Sequence, residues 1–231
     1  MKNRWILTLV VWGVFSSALN AQTLIDMFSG TALNSSNWIA SAFPNGSVTV
    51  NDGLTLTARG RITSAYGFTG PLTITGTVSF PNTAEYLTIM FRFSGAYDEP
   101  TYGSASDGIG VLIGPALNGV KFHIGDNNGG YQPIHVGFSY SINTAYNFKI
   151  TDDGLNITFY MNDMVTPLFT TTSAISSGNL VGFYSRENIG LSEISAIQIT
   201  TVPEPATWSL VGLGALGLVI LRRRFAAKRA L

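Results

Sequence analysis

Tyr146-Asn147-Phe148-Lys149-Ile150-Thr151-Asp152-Asp153-Gly154-Leu155-Asn156-Ile157-Thr158-Phe159-Tyr160-Met161 is the stretch whose reading decides the fold class. Apolar and polar residues alternate on both sides of Asp152-Asp153-Gly154, the period of two that marks a strand with one buried face. Tyr146, Phe148 and Ile150 share one face, and Leu155, Ile157, Phe159 and Met161 continue it after the turn, so the stretch reads as a hairpin. The pattern recurs upstream. Leu72, Ile74, Val78 and Phe80 alternate with Thr73, Thr75, Thr77 and Ser79, and Leu87, Ile89, Phe91 and Phe93 repeat it against Thr88 and Arg92. Val48-Thr49-Val50 and Leu54-Thr55-Leu56-Thr57 flank Asn51-Asp52-Gly53, whose Asp-Gly step predicts a second hairpin. Shorter runs at 110–113, 120–124, 134–138, 180–184 and 194–199 bring the expectation to about a dozen strands. No helical period persists for three turns between the chain's first residues and Pro203. The expected fold is all-β, two antiparallel sheets packed face to face in a jelly-roll sandwich, over residues 22–201 as one domain.

The two ends of the chain read differently. Lys2 and Arg4 precede an apolar run from Trp5 to Phe15 and the small-residue stretch Ser16-Ser17-Ala18-Leu19-Asn20-Ala21. That is the order of a secretory signal peptide, residues 1–21, which delivers the chain to the secretion machinery. At the other end Val202-Pro203-Glu204-Pro205 leads into an apolar stretch, 206–221, followed by Arg222, Arg223 and Arg224 and by Lys228-Arg229. A helix over 206–221 is about 24 Å long, a little short of a bilayer core of about 30 Å, and spans it if flanking residues snorkel. Arginines directly after the span hold that end in the cytoplasm, which puts the preceding domain on the other side.

Charge and cysteine narrow the function. Of thirteen basic residues, seven lie in the terminal segments, leaving Arg59, Arg61, Arg92, Lys121, Lys149 and Arg186, whereas Glu204 alone of thirteen carboxylates lies there. The body is acidic and has no basic stripe for phosphates, which argues against nucleic acid as a partner. With no cysteine, thiolate zinc sites and cysteine nucleophiles are excluded.

The tail, with Pro203-Glu204-Pro205, a Gly-rich apolar helix and Arg222, Arg223 and Arg224 at the C terminus, resembles the PEP-CTERM sorting signal of exported bacterial proteins. The resemblance implies processing by an exosortase-type membrane enzyme near Pro-Glu-Pro, a membrane-held intermediate, and delivery to the cell surface or extracellular matrix. The body resembles the concanavalin A-like lectin and glucanase group. That likeness rests on Asp26-Met27-Phe28-Ser29-Gly30, Asn37-Trp38, the strand after Asp52-Gly53, and the hairpin from Tyr146 to Asp163.

A glycoside hydrolase of that group carries a Glu-x-Asp-x-x-Glu strand, and retaining hydrolysis needs two carboxyl groups about 5 Å apart. No such strand exists here, since Glu85 stands alone and Glu187 and Glu193 are distant in sequence, so the reading is non-catalytic. Two loops are richer. Tyr97-Asp98-Glu99-Pro100-Thr101-Tyr102 leads to Asp107, and Asp126-Asn127-Asn128-Gly129-Gly130-Tyr131 follows a strand. Their carboxylate and amide oxygens suit calcium, and their tyrosine rings suit stacking on a sugar of an extracellular polysaccharide, although exposed turns use the same residue types. A calcium-dependent lectin and an unusual glycoside hydrolase are the alternatives. His123 and His135 read as strand residues facing away from the apolar side, Trp38 as packing, and the Asn34-Ser35-Ser36 and Asn156-Ile157-Thr158 sequons carry no functional weight.

Overall fold

Alternation of period two resolves into strands throughout the computed structural model, which describes residues 21–42, 46–94, 108–124, 134–172, 178–185 and 191–201. The signal peptide and the tail helix expected over 206–221 fall outside the described residues, apart from Ala21. Residues Gln22–Val202 form a compact unit. Its strands in chain order are β1 (Thr23–Asp26), β2 (Trp38–Ala42), β3 (Ser47–Val50), β4 (Leu54–Thr57) and β5 (Gly60–Ser64). Then come β6 (Leu72–Ser79), β7 (Leu87–Phe93), β8 (Ile109–Gly114), β9 (Gly119–Ile124) and β10 (Ile134–Gly137). The last are β11 (Tyr146–Asp152), β12 (Asn156–Met161), β13 (Phe169–Thr172), β14 (Leu180–Ser185) and β15 (Leu191–Thr201).

Two antiparallel sheets form the expected sandwich. The first is eight-stranded, ordered β13-β12-β11-β6-β15-β4-β3, with β1 also paired to β15. The second is seven-stranded, ordered β10-β9-β8-β7-β14-β5-β2. The long β15 takes β6 along one edge, while β4 pairs with its first residues and β1 with its last. The body's two ends therefore meet. Thr201 N–H donates to the Gln22 carbonyl at 2.9 Å, and Gln22 N–H donates to the Thr201 hydroxyl at 2.8 Å.

The core follows the alternation. Ile74, Val78, Phe148, Ile150, Ile157 and Phe159 from the first sheet meet Leu87, Ile89, Phe91, Val111, Phe122 and Phe183 from the second, all essentially out of solvent. Each such side chain contributes about 1.5–3 kcal/mol by leaving water. Trp38 belongs to this core at 1 % exposure, its ring edge-on to Phe183 with centroids 5.9 Å apart. Its indole N–H donates to Asp26 at 2.9 Å, and the same carboxylate accepts Phe28 N–H at 2.8 Å. Two of the segments that carried the body's resemblance, Asp26 to Gly30 and Asn37-Trp38, are thus pinned together by one aspartate.

The outer faces are unlike each other. On the first sheet the registers align Thr23, Thr200, Thr73, Thr151, Thr158 and Thr170 in one rank across β1, β15, β6, β11, β12 and β13. On the second sheet the outward residues Thr88, Met90 and Tyr184 are buried, so β7 and β14 are covered on both faces.

Two expectations are corrected. Leu155 is 59 % exposed, because Asp152 pairs with Ile157 and the turn takes up Asp153 to Asn156, with Gly154 at φ 101. Phe93 does not continue the inward face of Leu87, Ile89 and Phe91. Arg92 has φ 56 and forms a bulge, with Val181 opposite Phe91 and Leu180 opposite Phe93. The extra residue reverses the parity of the strand. Phe93 packs outside with Met90 and Tyr184, and Arg92 turns inward.

Candidate functional site

The loop residues proposed to hold a ligand, Tyr97, Asp98, Tyr102 and Asp107 with Asp126, Asn127, Asn128 and Tyr131, lie outside the described residues. Their stems are described. The connection 95–107 joins β7 to β8, and 125–133 joins β9 to β10. Phe91 pairs with Ile109, Ile109 with Ile124, and Phe122 with Ile134, so both connections leave the same end of four neighbouring strands. The register therefore puts the stems of the two connections at one end of the sheet. The link from β13 to β14 reaches this end as well, since Leu180 pairs with Phe93 and a Cβ on Gly178 would collide with the Phe93 backbone.

Beneath these stems the two sheets are joined by charge. Asp152, the last residue of β11, lies on the inward face with Phe148 and Ile150, and the bulge aims Arg92 at it from the other sheet. Arg92 Nε donates to one carboxylate oxygen and Nη2 to the other at 2.6 Å, a bidentate pair, while Gly154 N–H donates at 2.9 Å. The Asp152 side chain is 1 % exposed and that of Arg92 15 %. Burial pushes the Asp152 carboxyl above its ordinary value, with Gly154 N–H and the Arg92 charge pulling the other way. Its neighbour Asp153 is fully exposed and held down to about 2 by hydrogen bonds from the Asn156 backbone and side chain and from Leu155 N–H. Asp152 and Asp153 are adjacent in sequence but serve different purposes, one bracing the sandwich and one fixing a turn.

Among the described residues, the other carboxylates named from the sequence do not converge. Glu85 is 0 % exposed between the sheets, where the Ser192 hydroxyl donates to it at 3.4 Å. Glu193, the next residue after that serine, points to the opposite face of β15 and accepts from Ser79 at 3.0 Å. Glu187 lies outside the described residues. His135 is exposed and pairs across strands with Lys121, its Nε2 lying 3.1 Å from the Leu117 carbonyl. No group of three or more His, Asp or Glu side chains that would hold a metal is found among the described residues, which do not include the two loops. Among them, too, no helix is long and apolar enough to cross a membrane.

Comparison with known structures places this architecture. It is similar to a β-1,3-glucanase from Mycobacterium marinum, with TM-score 0.52 and 11 % identity, over 76 % of this chain and 97 % of that one. It is also similar to the VIP36 exoplasmic/lumenal domain in its Ca2+/Man2-bound form, with TM-score 0.58 and 10 % identity, over 79 % and 88 %. A third likeness is to carbohydrate-binding module CBM66 from Bacillus subtilis, with TM-score 0.50 and 14 % identity, over 73 % and 94 %. The fold is that of the concanavalin A-like lectins and glucanases. At these identities the likeness concerns the fold alone. Residues 201–224 match the PEP-CTERM protein-sorting motif, an exosortase substrate signal that covers the expected Pro203, Glu204, Pro205, Arg222, Arg223 and Arg224. The match begins at the last residue of β15, so the sorting signal starts where the sandwich stops. No match was found among curated protein sequences.

The bulge at Arg92 had no local signal, because Leu87, Ile89, Phe91 and Phe93 keep one spacing through Arg92. A non-local one existed: Asp152 occupies an inward position of its strand, and an inward carboxylate requires a partner.

Proposed function

We propose that this chain is an exported, non-catalytic surface protein whose sandwich binds extracellular polysaccharide through the loops 97–107 and 126–131. The observation that carries the reading is the sorting motif joined directly to a lectin-type sandwich. Secretion is followed by a membrane-held intermediate with its C terminus in the cytoplasm. Exosortase-type processing near Pro203-Glu204-Pro205 then frees the body for the cell surface or matrix. The shared end of the loop stems supports a single composite site in which Asp98, Asp107, Asp126, Asn127 and Asn128 supply oxygens to calcium or sugar hydroxyls, and Tyr97, Tyr102 and Tyr131 supply stacking surfaces. The non-catalytic part is supported by the positions of Glu85, between the sheets, and Glu193, outside them, which offer no facing pair for glycoside hydrolysis.

Two measurements test this. Fractionation of cells expressing the full chain or a version lacking 202–231 should find only the full chain retained at the surface, and equal retention of both removes the sorting half of the proposal. Calorimetric titration of the full chain with calcium and a panel of bacterial polysaccharides should give heat that falls at least tenfold in Asp126→Ala. Absence of heat with every polysaccharide removes the lectin half, whereas release of reducing sugar from any of them replaces it with the hydrolase reading.

A further inference from the structure

The opposite end of β8 and β9 holds a concavity. Their connection, Gly114-Pro115-Ala116-Leu117-Asn118-Gly119, is a tight piece of backbone. Gly114 has φ 147, a 3-10 turn spans Pro115–Leu117, and Asn118 closes it in the left-handed conformation at φ 51. A Cβ on Gly114 would lie 2.6 Å from the Glu85 carbonyl oxygen and from Tyr86 Cα, so no other residue fits. Ala116 N–H donates to that carbonyl at 2.9 Å and Asn118 N–H to Pro115 at 3.1 Å. On the far side the chain leaving β10 packs its rings in tilted and edge-on pairs. Phe138 and Tyr140 have centroids 4.8 Å apart, Tyr140 and Tyr146 5.1 Å, and Phe80 meets Tyr140 edge-on at 5.5 Å. Between the two walls is a cleft of about 600 Å³, whose lining includes the polar Thr83, Asn118 and Ser139 and the apolar Pro115, Phe138 and Tyr140.

Three properties of this cleft select a ligand. The volume falls within the roughly 300–1,000 Å³ of small-molecule sites. No lining residue carries a charge near neutral pH, since burial pushes the Tyr140 phenol further up, so a charged ligand finds no counter-charge. The lining combines aromatic rings with amide and hydroxyl groups, which suits a molecule having an apolar face and a hydroxylated rim. Both walls are held by backbone hydrogen bonds and ring packing, so little ordering has to be lost when the cleft fills.

We propose that this cleft is a second, calcium-independent glycan subsite that takes one or two pyranose units of an uncharged polysaccharide. It goes beyond the loop site, lies at the other end of β8 and β9, and contains no carboxylate that would need a metal. Asn118 supplies the amide that bridges neighbouring sugar hydroxyls, with Thr83 and Ser139 at the rim and the Phe138 and Tyr140 rings under the sugar face.

Two substitutions test it without disturbing the fold. Asn118→Gly removes the carboxamide and is at ease in the left-handed conformation, so a purely structural asparagine predicts unchanged or higher stability and unchanged binding. Gly137→Leu places a side chain in the cleft mouth, where a Cβ meets nothing within 4 Å. The full chain is titrated with laminarihexaose, cellohexaose and mannohexaose, and with an oligogalacturonate as the charged comparator, in calcium and in EDTA. The proposal expects EDTA-resistant binding of at least one neutral hexasaccharide, reduced at least tenfold in both variants, at unchanged thermal midpoint. Binding that EDTA abolishes and both variants retain belongs to the loops and overturns the cleft while sparing the lectin reading. Preference for oligogalacturonate, or EDTA-resistant binding untouched by both substitutions, overturns it too, as does absence of any EDTA-resistant binding.

Discussion

Strands β6 and β11 of the first sheet and β7 and β14 of the second follow different rules, although all four sit at the middle of a sheet. β6 and β11 alternate, with Gly76 the one inward position not fully buried, and present Thr73, Thr75, Thr77, Asn147, Lys149 and Thr151 outward. β7 and β14 are out of solvent on both faces, and their sequences, Leu87-Thr88-Ile89-Met90-Phe91 and Val181-Gly182-Phe183-Tyr184, are nearly continuous apolar runs. A strand wetted on one side needs β-branched residues that tolerate water, and threonine meets both demands. A strand covered on both sides admits methionine and tyrosine outside and glycine where neighbours crowd: a Cβ on Gly182 would lie 3.1 Å from the Phe93 ring. The lesson is that the sheet carrying the stems of the candidate loops is the one whose middle strands are buried on both faces.

The largest break in this contrast is expected where the sheets exchange charge. Arg92→Met leaves Asp152 in a buried site without its cation and should cost about 3–5 kcal/mol, read from the urea midpoint. Adding Asp152→Asn removes the stranded charge and should recover at least half of the loss. If single and double variants are equally destabilised, the arginine acts through its aliphatic packing and the ion pair does not brace the sandwich.

A smaller effect compares the two outer faces directly. Met90→Ala, outward on the second sheet, should cost about 2–5 kcal/mol, as for a core position. Thr75→Ala, outward on the first sheet, should cost no more than about 1 kcal/mol. Equal losses would mean that the second sheet's outer face is not sealed.

Most of this contrast was legible in the sequence, because period-two alternation depends only on which face meets water. The hairpins Val48–Leu56 and Tyr146–Met161 and the two-sheet class follow from it, whereas the burial of Trp38 was expected from its bulk. Leu155 and Phe93 depart from the alternation for different reasons: Leu155 keeps the parity of Ile157 but sits in the turn before β12 begins, whereas the bulge at Arg92 shifts the parity of Phe93 by one, and composition reveals neither the turn's edge nor the extra residue. The left-handed residue of the Asn51-Asp52-Gly53 turn shows the same limit, since it is Asp52, at φ 48, and not the glycine. Asp52 accepts that conformation because its backbone N–H donates to Gly30 and its side chain accepts Gly30 N–H, both at 3.0 Å, contacts with a distant segment. The candidate loops were recognisable by residue type, but their shared end came from strand register, which no short window contains. The cleft beside Asn118 was marked only by Gly-Pro and Asn-Gly steps, which signal a turn and nothing about a cavity.

The gentlest test uses acid, because Asp152 and Asp153 respond to it in opposite senses. Burial raises Asp152, so the folded state holds its proton more readily than the unfolded chain. Its contribution is greatest below the ordinary aspartate range and declines as pH rises through the raised value. Asp153 is lowered to about 2 by turn hydrogen bonds, so its contribution is present above the ordinary range and is lost as pH falls toward about 2. Asp163, lowered by hydrogen bonds from Thr166 and Val165, behaves like Asp153. Urea midpoints measured across the acid range should therefore flatten at the lowest pH in Asp153→Asn. In Asp152→Asn the decline on raising pH from the aspartate range should vanish while the acid-side loss persists. If both variants change the same limb of the profile, the two carboxylates share one environment, and the division between a buried brace and an exposed turn is wrong.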